Sequence, residues 1–156
     1  MTKIIVCSGS GIGSGKTTFC HKICDTVIGF ADIIRMELQQ EYPQIDFFNK
    51  SQEYKSSIVG NTGKTVRQIM VEYAEAKRKQ DISYFAKRTI EIIDTLYFDK
   101  TVGVDDMRFV VELDMLKSHF EDVTHFHIFW PHAIKESHTE DKQLMCLADY
   151  VLLRRE

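Results

Sequence analysis

No stretch of the 156-residue sequence is apolar over a length that could cross a membrane, and no long stretch is basic. The formal net charge is −3, whereas proteins that bind nucleic acids generally are usually basic. The N-terminal apolar stretch is too short for a cleavable signal. We therefore expect a protein of the cytoplasm, with neither a membrane nor a nucleic acid as its partner.

The four cysteines lack the C-x-x-C spacing of redox and zinc sites. We interpret all four as reduced, small apolar residues, which suits a reducing compartment. The six histidines are scattered through different local contexts, so a structural role is favoured over a zinc site, although His125 and His127 would share one face of a strand. The cysteines are Cys7, Cys20, Cys24 and Cys146.

What the sequence does contain is a short apolar run, a glycine-rich turn and a helical pattern in immediate succession over residues 3–18. The run Ile4 to Cys7 predicts a buried strand, and Lys16 begins the predicted helix. This order is the context that a phosphate-binding loop needs. The glycines allow backbone N–H groups to turn inward around a phosphate, and the helix N-terminus adds its partial positive charge.

In such a loop Lys16 would reach the β- and γ-phosphates of ATP, and the Thr17 hydroxyl would hold Mg²⁺. The pattern G-x-x-x-x-G-K-[ST], anchored on Gly15, has Ser10 where it calls for its first glycine, so the loop is expected to bend by a slightly different route. The alternative is a glycine-rich turn that binds nothing. The predicted ATP-binding residues are Gly11, Ile12, Gly13, Ser14, Gly15, Lys16, Thr17 and Thr18.

The rest of the chain alternates between strand and helix patterns, and its composition suits a single globular domain. This alternation predicts an α/β fold with a parallel sheet of about five strands. Residues 42–64 are polar and aperiodic and are interpreted as a mobile insertion with a short helix near 51–58. The further strands are predicted at 26–30, 101–108, 123–130 and 150–153, and the helices at 31–38, 65–79, 81–96, 112–120 and 137–147.

Charged residues follow several of these elements. Asp105 or Asp106, at the C-terminal end of the strand at 101–108, is placed as a Walker-B acid that orients Mg²⁺ or its waters, and Arg108 would face the same crevice. For residues 105–108 the alternative is an ordinary surface turn. Arg35 lies near the end of the second predicted strand, where α/β sheets bind ligands, and its alternative is a solvated charge on a helix face. Five cations form either a solvated face or an arm that closes over transferring phosphates. They are Lys77, Arg78, Lys79, Lys87 and Arg88.

Further motifs lie outside the loop. They are Phe30-Ala31-Asp32 with Arg35, Thr65-Val66-Arg67, Arg78 with Asp81, Tyr84 and Phe85, Asp106-Met107-Arg108-Phe109 with Glu112, His138-Thr139-Glu140, and Asp149-Tyr150-Val151. Together with the loop they resemble the P-loop deoxynucleoside monophosphate kinases of bacteriophages over nearly the whole chain. The most specific segment is D-x-R-F-x-x-E. The sequence departs from the family at Phe85, which replaces a tryptophan, and at Tyr73-Ala74-Glu75, which replaces a G-T dipeptide.

The resemblance implies a three-layer α/β/α P-loop NTPase fold of the nucleoside monophosphate kinase type. It implies one domain over residues 1–156, with a monophosphate-binding insertion around 31–65 and a lid-like basic segment around 77–88. The implied activity is ATP-dependent phosphoryl transfer to a deoxynucleoside monophosphate, which yields the diphosphate. A homodimer is compatible with the sequence, which determines neither the oligomeric state nor the base accepted.

The resemblance also implies roles for individual residues. The catalytic residues would be Lys16, Arg78 and Arg108, and the magnesium-side residues Thr17 and Asp106. No general base is needed, because the acceptor is already an anionic phosphate oxygen, so that catalysis consists of alignment and charge compensation. The implied substrate-binding residues are Asp32, Arg35, Arg67, Arg78, Asp106 and Arg108.

Two other functions fit parts of the sequence. Residues 11–17 and 31–35 also resemble dephospho-coenzyme A kinase, in which Asp32 would act as a base on a hydroxyl. A non-catalytic nucleotide-binding protein is the alternative of another class. A GTPase is disfavoured because no N-K-x-D motif follows a late strand, and end-phosphorylation of DNA or RNA is disfavoured by the acidic net charge.

Overall fold

The apolar run at the N-terminus forms β1 (Lys3–Gly9), the central strand of a five-stranded sheet in which every pairing is parallel. Ile4, Val6 and Cys7 are fully buried, because a central parallel strand is covered on both faces. The other strands are β2 (Thr26–Ile28), β3 (Thr101–Val104), β4 (Asp122–Phe129) and β5 (Tyr150–Leu153). Their order in the sheet is β2-β3-β1-β4-β5.

The computed structural model describes residues 1–11, 13–134 and 140–155, and seven helices lie within these ranges. At least one helix separates each pair of successive strands, as is usual for parallel strands. The predicted α/β class with about five parallel strands is therefore confirmed. The helices are α1 (Lys16–Ile23), α2 (Phe30–Glu41), α3 (Gln52–Lys55), α4 (Val66–Gln80), α5 (Tyr84–Leu96), α6 (Val110–His119) and α7 (Asp141–Leu147).

The chain divides into two compact units. Unit 1 consists of Met1–Phe30 and Ala86–Glu156 and contains the sheet. Unit 2 consists of Ala31–Phe85. Among the described residues, no helix combines the length and the apolar content that a membrane crossing demands.

Several predicted boundaries differ from the observed ones. The third strand in sequence, predicted to continue to residue 108, ends at Val104, and the next helix begins at Val110 rather than 112. Asp105 and Asp106, which lie between this strand and this helix, instead contact residues 29 and 30 through their side chains. The helix predicted over 137–147 is observed from Asp141, and positions 137–139 lie outside the described residues.

Unit 2 is built from α2, α3 and α4. The short helix expected near 51–58 is confirmed as α3. Although residues 42–64 read as polar, Ile45, Phe47 and Val59 are buried, so this segment carries part of the apolar core. Thr65 caps α4 through a reciprocal pair of hydrogen bonds with Gln68, which confirms the predicted helix start.

Candidate functional site

The glycine-rich loop joins the central strand β1 to α1 and has the left-handed backbone that its glycines predict. Gly13 has φ of 85° and Gly15, the N-cap of α1, has φ of 95°. Side chains with a Cβ rarely adopt this conformation, so these two positions require glycine. The first turn of α1 contains no acidic residue, so its partial positive charge is not neutralised there.

Gly9 is needed for a different reason, which is the closeness of its neighbours. A Cβ at this position would lie 2.6 Å from the Ser14 Oγ and 3.0 Å from the carbonyl oxygen of Ile128. Real Cβ atoms essentially never show the first distance, and the second is tighter than most real contacts, so a side chain at position 9 would require its neighbours to shift.

Ser10 occupies the position of the pattern's first glycine and makes bonds that a glycine could not make. Its Oγ accepts the backbone N–H of Trp130 at 2.8 Å and donates to the carbonyl of Trp130 at 3.0 Å. Its own N–H donates to the carbonyl of Ile128 at 3.1 Å. The serine thus anchors the loop to the end of β4, which explains the departure from the pattern.

Lys16 folds back over the loop. Its Nζ donates to the carbonyl of Gly11 at 3.0 Å and lies 3.5 Å from the Ser14 Oγ. Its side chain is half-buried, whereas Thr17 and Thr18 are exposed at the start of α1. A fixed ammonium, turned glycine amides and a helix N-terminus are groups that could bind an anion such as a phosphate. Ile12, also predicted to bind ATP, lies outside the described residues.

Asp106, the predicted magnesium-side acid, lies just beyond β3 and caps a helix. Its Oδ1 accepts the backbone N–H of Phe30 at 2.7 Å, at the first residue of α2. A Cβ on Gly29 would lie 2.8 Å from the Asp106 Oδ2 and 3.0 Å from the Asp105 Oδ1, so both acids crowd the end of β2. The capping bond was not evident from the sequence, because the two partners are 76 residues apart.

The charges of these aspartates extend to α1. The pKa of the Cys20 thiol is raised by its hydrogen bond with Cys7 and by burial, and further by the negative charges of Asp105 and Asp106. Cys20 lies one helical turn after Lys16. The predicted nucleotide loop and the predicted magnesium-side acids are therefore near the same helix. Among the described residues, no group of three or more histidine, cysteine or acidic side chains could hold a metal ion by itself.

Arg108 is exposed, and its backbone is held by two glutamates. The Glu112 Oε2 accepts the N–H of Arg108 at 3.1 Å and of Phe109 at 3.2 Å, while Glu112 is 1% exposed. Glu140 accepts the N–H of Val110 at 2.6 Å and donates its own N–H to the carbonyl of Arg108 at 2.9 Å. The glutamate of the D-x-R-F-x-x-E segment thus begins α6 and positions the arginine.

Two histidines and a serine form a buried polar network beside the loop. The Ser8 Oγ, on β1, lies 2.7 Å from the His125 Nε2 and 2.8 Å from the His127 Nδ1, both on β4. The predicted shared face of the two histidines is confirmed. Burial lowers the pKa of His125 to about 4, and it also lowers the pKa of His127, on which the charge of Lys16 acts in the same direction. Both rings are neutral at pH 7.

Unit 2 contains a cluster of cations. Lys55 has a pKa lowered by burial and then by the positive charges of Arg35, Arg67 and Lys50. Arg35 is 8% exposed and its Nη1 pairs with Asp32 at 2.9 Å, while the Lys50 Nζ lies 3.8 Å from the same carboxylate. We call these four basic residues the cation cluster. Asp32, Arg35 and Arg67, all predicted to bind substrate, are thus brought together.

The cation cluster has features of an anion site. The buried Arg35 Nε has no hydrogen-bond partner among the residues that the structure describes. Like charges gathered at a partly buried place raise the free energy of the protein unless an anion compensates them. Lys50 and Lys55 were not identified from the sequence, because they lie in the aperiodic segment 42–64, where no pattern distinguishes them from solvated lysines.

The predicted lid cations belong to the end of α4 and to α5. The guanidinium of Arg78 lies 5.0 Å from the centre of the Phe85 ring, and the Lys77 Nζ lies 4.9 Å from that of Tyr84. The hydroxyls of Tyr73 and Tyr84 donate to Glu37 at 2.7 Å and 2.8 Å. Aromatic faces therefore orient Lys77 and Arg78 within unit 2. In unit 1, Arg88 pairs with Glu91.

Comparison of the chain with models of known protein families gives no match. Comparison with curated proteins gives no significant match either. The likeness to bacteriophage deoxynucleoside monophosphate kinases therefore stays a prediction from the motifs.

Proposed function

We propose that this protein is a P-loop kinase that transfers the γ-phosphoryl group of ATP to a deoxynucleoside monophosphate. The observation that carries the proposal is the folded-back Lys16, whose ammonium lies over the carbonyl of Gly11 in a loop between a central parallel strand and a helix. Ligands of α/β sheets bind at the carboxyl ends of strands, and this loop leaves such an end. The proposed fold is the three-layer α/β/α P-loop NTPase of the nucleoside monophosphate kinase type.

The donor nucleotide would bind through its phosphates at the loop. The turned amides of Gly13 and Gly15 and the helix N-terminus would bind the β-phosphate, and Lys16 would move from the Gly11 carbonyl to the β- and γ-phosphates. The exposed Thr17 hydroxyl and the Asp106 carboxylate are hard oxygen donors of the kind that Mg²⁺ takes. When bound there, Mg²⁺ would supply charge neutralisation at the transferring group, and the protein would supply two of its positions, directly or through water.

The acceptor's phosphate would bind to the cation cluster of unit 2. Arg35 and Arg67 can hold phosphate oxygens bidentately, and Lys50 and Lys55 add positive charge. Phosphate would also give the buried Arg35 Nε an acceptor. In the reaction, an acceptor phosphate oxygen bonds to the γ-phosphorus while the bond from that phosphorus to the β–γ bridging oxygen breaks, leaving ADP and the diphosphate. Arg78 and Arg108 would neutralise charge during transfer.

Asp32 separates this proposal from the dephospho-coenzyme A kinase alternative. Phosphorylating a hydroxyl requires a base, and Asp32 is the residue that the alternative assigns. Its carboxylate instead pairs with Arg35 at 2.9 Å and faces Lys50 at 3.8 Å. In the proposed reaction Asp32 orients the arginine and no base is needed. The acidic net charge of −3 supports a small-molecule substrate rather than a nucleic acid.

The decisive experiment is an ADP-release assay with ATP, Mg²⁺ and, in turn, each of the four deoxynucleoside monophosphates, dephospho-coenzyme A, or no acceptor. We expect release to depend on at least one monophosphate. Lys16→Ala should abolish it, while Lys22→Ala, an exposed lysine in the last turn of the same helix, should leave it unchanged. ADP release that no acceptor stimulates, or full activity in Lys16→Ala, would contradict the proposal.

A further inference from the structure

The single tryptophan of the chain lies beside an arginine at the carboxyl edge of the sheet. Trp130 follows β4 and Arg154 follows β5, the two strands being parallel neighbours. The guanidinium carbon of Arg154 lies 4.3 Å from the centre of the Trp130 ring, and the Arg154 N–H donates to the carbonyl of Phe129 at 2.9 Å. The backbone bond fixes Arg154 where its side chain can stack on the indole.

This stacked pair borders the glycine-rich loop. The Arg154 Nη1 donates to the carbonyl of Gly13. A Cβ at Gly13 would lie 3.3 Å from the Trp130 Cζ3, which shows how closely the indole approaches the loop. Ser10 bonds both the N–H and the carbonyl of Trp130. A ligand with its phosphates on the loop would therefore have the rest of its structure near the Trp130–Arg154 pair.

A cavity of about 440 Å³ opens at the same place. The buried indole Nε1 has no hydrogen-bond partner in the part of the chain that the structure describes. A buried donor without a partner raises the free energy of the protein, and an acceptor atom on a ligand would remove that cost. The cavity is lined by Trp130, Pro131, His132, Leu153, Arg154 and Arg155.

We propose that this cavity binds the purine base of the donor nucleotide, with the base stacked against the Trp130–Arg154 pair and a ring nitrogen accepting from the Trp130 Nε1. The inference deepens the proposed function and rests on it. A purine offers a large π face to indole and guanidinium planes, and its ring nitrogens are acceptors. Loss of one such stack weakens nucleotide binding by about tenfold.

The fluorescence of the sole tryptophan tests the proposal directly. ATP, inorganic tripolyphosphate and CTP are titrated in turn against the full chain with Mg²⁺. Tripolyphosphate has the phosphates of ATP without the base, so it should change Trp130 emission much less than ATP does at saturation. CTP should bind more weakly than ATP. Equal emission changes with ATP and tripolyphosphate would overturn the proposal.

Calorimetric titration of variants supplies the second test, with the ratio of ATP affinity to tripolyphosphate affinity as its readout. Trp130→Ala should lower this ratio about tenfold, and Trp130→Phe should restore only part of it, because phenylalanine keeps a stacking face but has no Nε1–H. Arg154→Lys, at an exposed position, should lower the ratio as well, because it keeps the charge and loses the planar face. Phe98→Ala, which removes an exposed aromatic ring elsewhere in unit 1, is the control. An unchanged ratio in Trp130→Ala and Arg154→Lys would overturn the base site.

Failure of this inference can be told from failure of the proposed function. If monophosphate-dependent ADP release occurs and Lys16→Ala abolishes it, while the affinity ratio is insensitive to Trp130 and Arg154, only the base site is wrong. If no acceptor stimulates ADP release, yet the ratio depends on Trp130 as expected, the nucleotide site is supported and the kinase activity is wrong.

Discussion

The Asp106 Oδ1 accepts the backbone N–H of Phe30 at 2.7 Å, so the carboxylate that follows β3 caps the first turn of α2. A side chain placed for magnesium by the sequence thus also holds the start of a helix. These two roles make different demands, because a cap needs an acceptor oxygen whereas a metal site also needs negative charge.

Substitution at Asp106 should therefore separate stability from activity. Asp106→Asn keeps an acceptor for the Phe30 N–H and should retain most of the stability, while Asp106→Ala should lose about 1 kcal/mol of unfolding free energy. Both should lose most of the Mg²⁺-dependent turnover. Urea unfolding and ADP release at varied Mg²⁺ measure the two effects. Full turnover in Asp106→Asn would exclude the magnesium role, and equal stability of both variants would exclude the cap.

Ser10 offers a test of the departure from the loop pattern. Ser10→Gly restores the glycine of the pattern but removes the two hydrogen bonds between the Ser10 Oγ and the backbone of Trp130. We expect a loss of about 1–2 kcal/mol and a Tm lower by several degrees, because net hydrogen-bond contributions are about 1 kcal/mol each. Ser10→Ala should show a similar loss without the added backbone freedom of glycine. Calorimetric melting that finds Ser10→Gly as stable as the wild type would contradict the anchoring role.

The buried histidines predict a pH dependence of stability. Burial is the main cause that lowers the pKa of His125 to about 4, followed by the charges of His127 and Lys117, while Leu147 and Asp149 act in the opposite direction. The unfolded chain takes up a proton at His125 near its ordinary pKa of about 6.5. Unfolding free energy should therefore be at its full value above pH 6.5 and fall as the pH drops toward 4, by an amount on the order of a few kcal/mol.

Urea unfolding at a series of pH values between 7.5 and 4.5 measures this slope. His125→Gln keeps a side-chain nitrogen but cannot titrate, so its slope should be shallower than that of the wild type. His119→Gln removes an exposed histidine and serves as the control. Identical slopes in the wild type and His125→Gln would show that protonation of His125 is not coupled to folding.

The cation cluster predicts that Lys55 contributes to acceptor binding at a cost in stability. Lys55→Met should raise the KM for the accepted monophosphate by about 10- to 100-fold, since hydrogen bonds to charged groups contribute about 1.5–3 kcal/mol. ATP affinity should stay the same. The Tm should be unchanged or higher, because burial and three neighbouring cations lower the pKa of Lys55 and disfavour its charged form.

Steady-state kinetics, ATP titration and thermal melting check the three parts of this prediction. Lys100→Ala, at an exposed position of unit 1, is the control for a general charge effect. An unchanged KM in Lys55→Met would show that the cation cluster does not bind the acceptor, even if the glycine-rich loop binds ATP.

Much of unit 1 was predictable because its signals are local. The strand, the turned glycines and the helix of the loop follow one another within residues 3–23, and each is encoded by its own residues. The cap at Thr65 was also predictable, because a capping box involves residues three positions apart. The backbone-anchoring roles of Glu112 and Ser10 were only partly predictable. A residue type at a motif position does not distinguish a substrate contact from a hydrogen bond that anchors the backbone.

The contacts that define the candidate sites were not predictable, because their partners are far apart in the chain. Ser8 and His125 are separated by 117 residues, and Arg154 meets the carbonyl of Gly13 across 141 residues. Lys50 and Lys55 lie in a segment without periodicity, so only the charged neighbours that the fold gives them distinguish them from solvated lysines. The sequence did not predict that Trp130 is a stacking residue, because Arg154, which stacks on it, follows a different strand.

The sequence by itself determined the class of the fold, the five parallel strands and the form of the glycine-rich loop, because hydrophobic periodicity and glycine backbone freedom act over a few residues. Only the tertiary structure decided that Asp106 caps α2, that Lys50 and Lys55 join Arg35 and Arg67, and that Arg154 covers Trp130 beside the loop. The order of the strands and the connections between them bring these side chains into contact, and no short stretch of sequence encodes a contact between residues far apart in the chain.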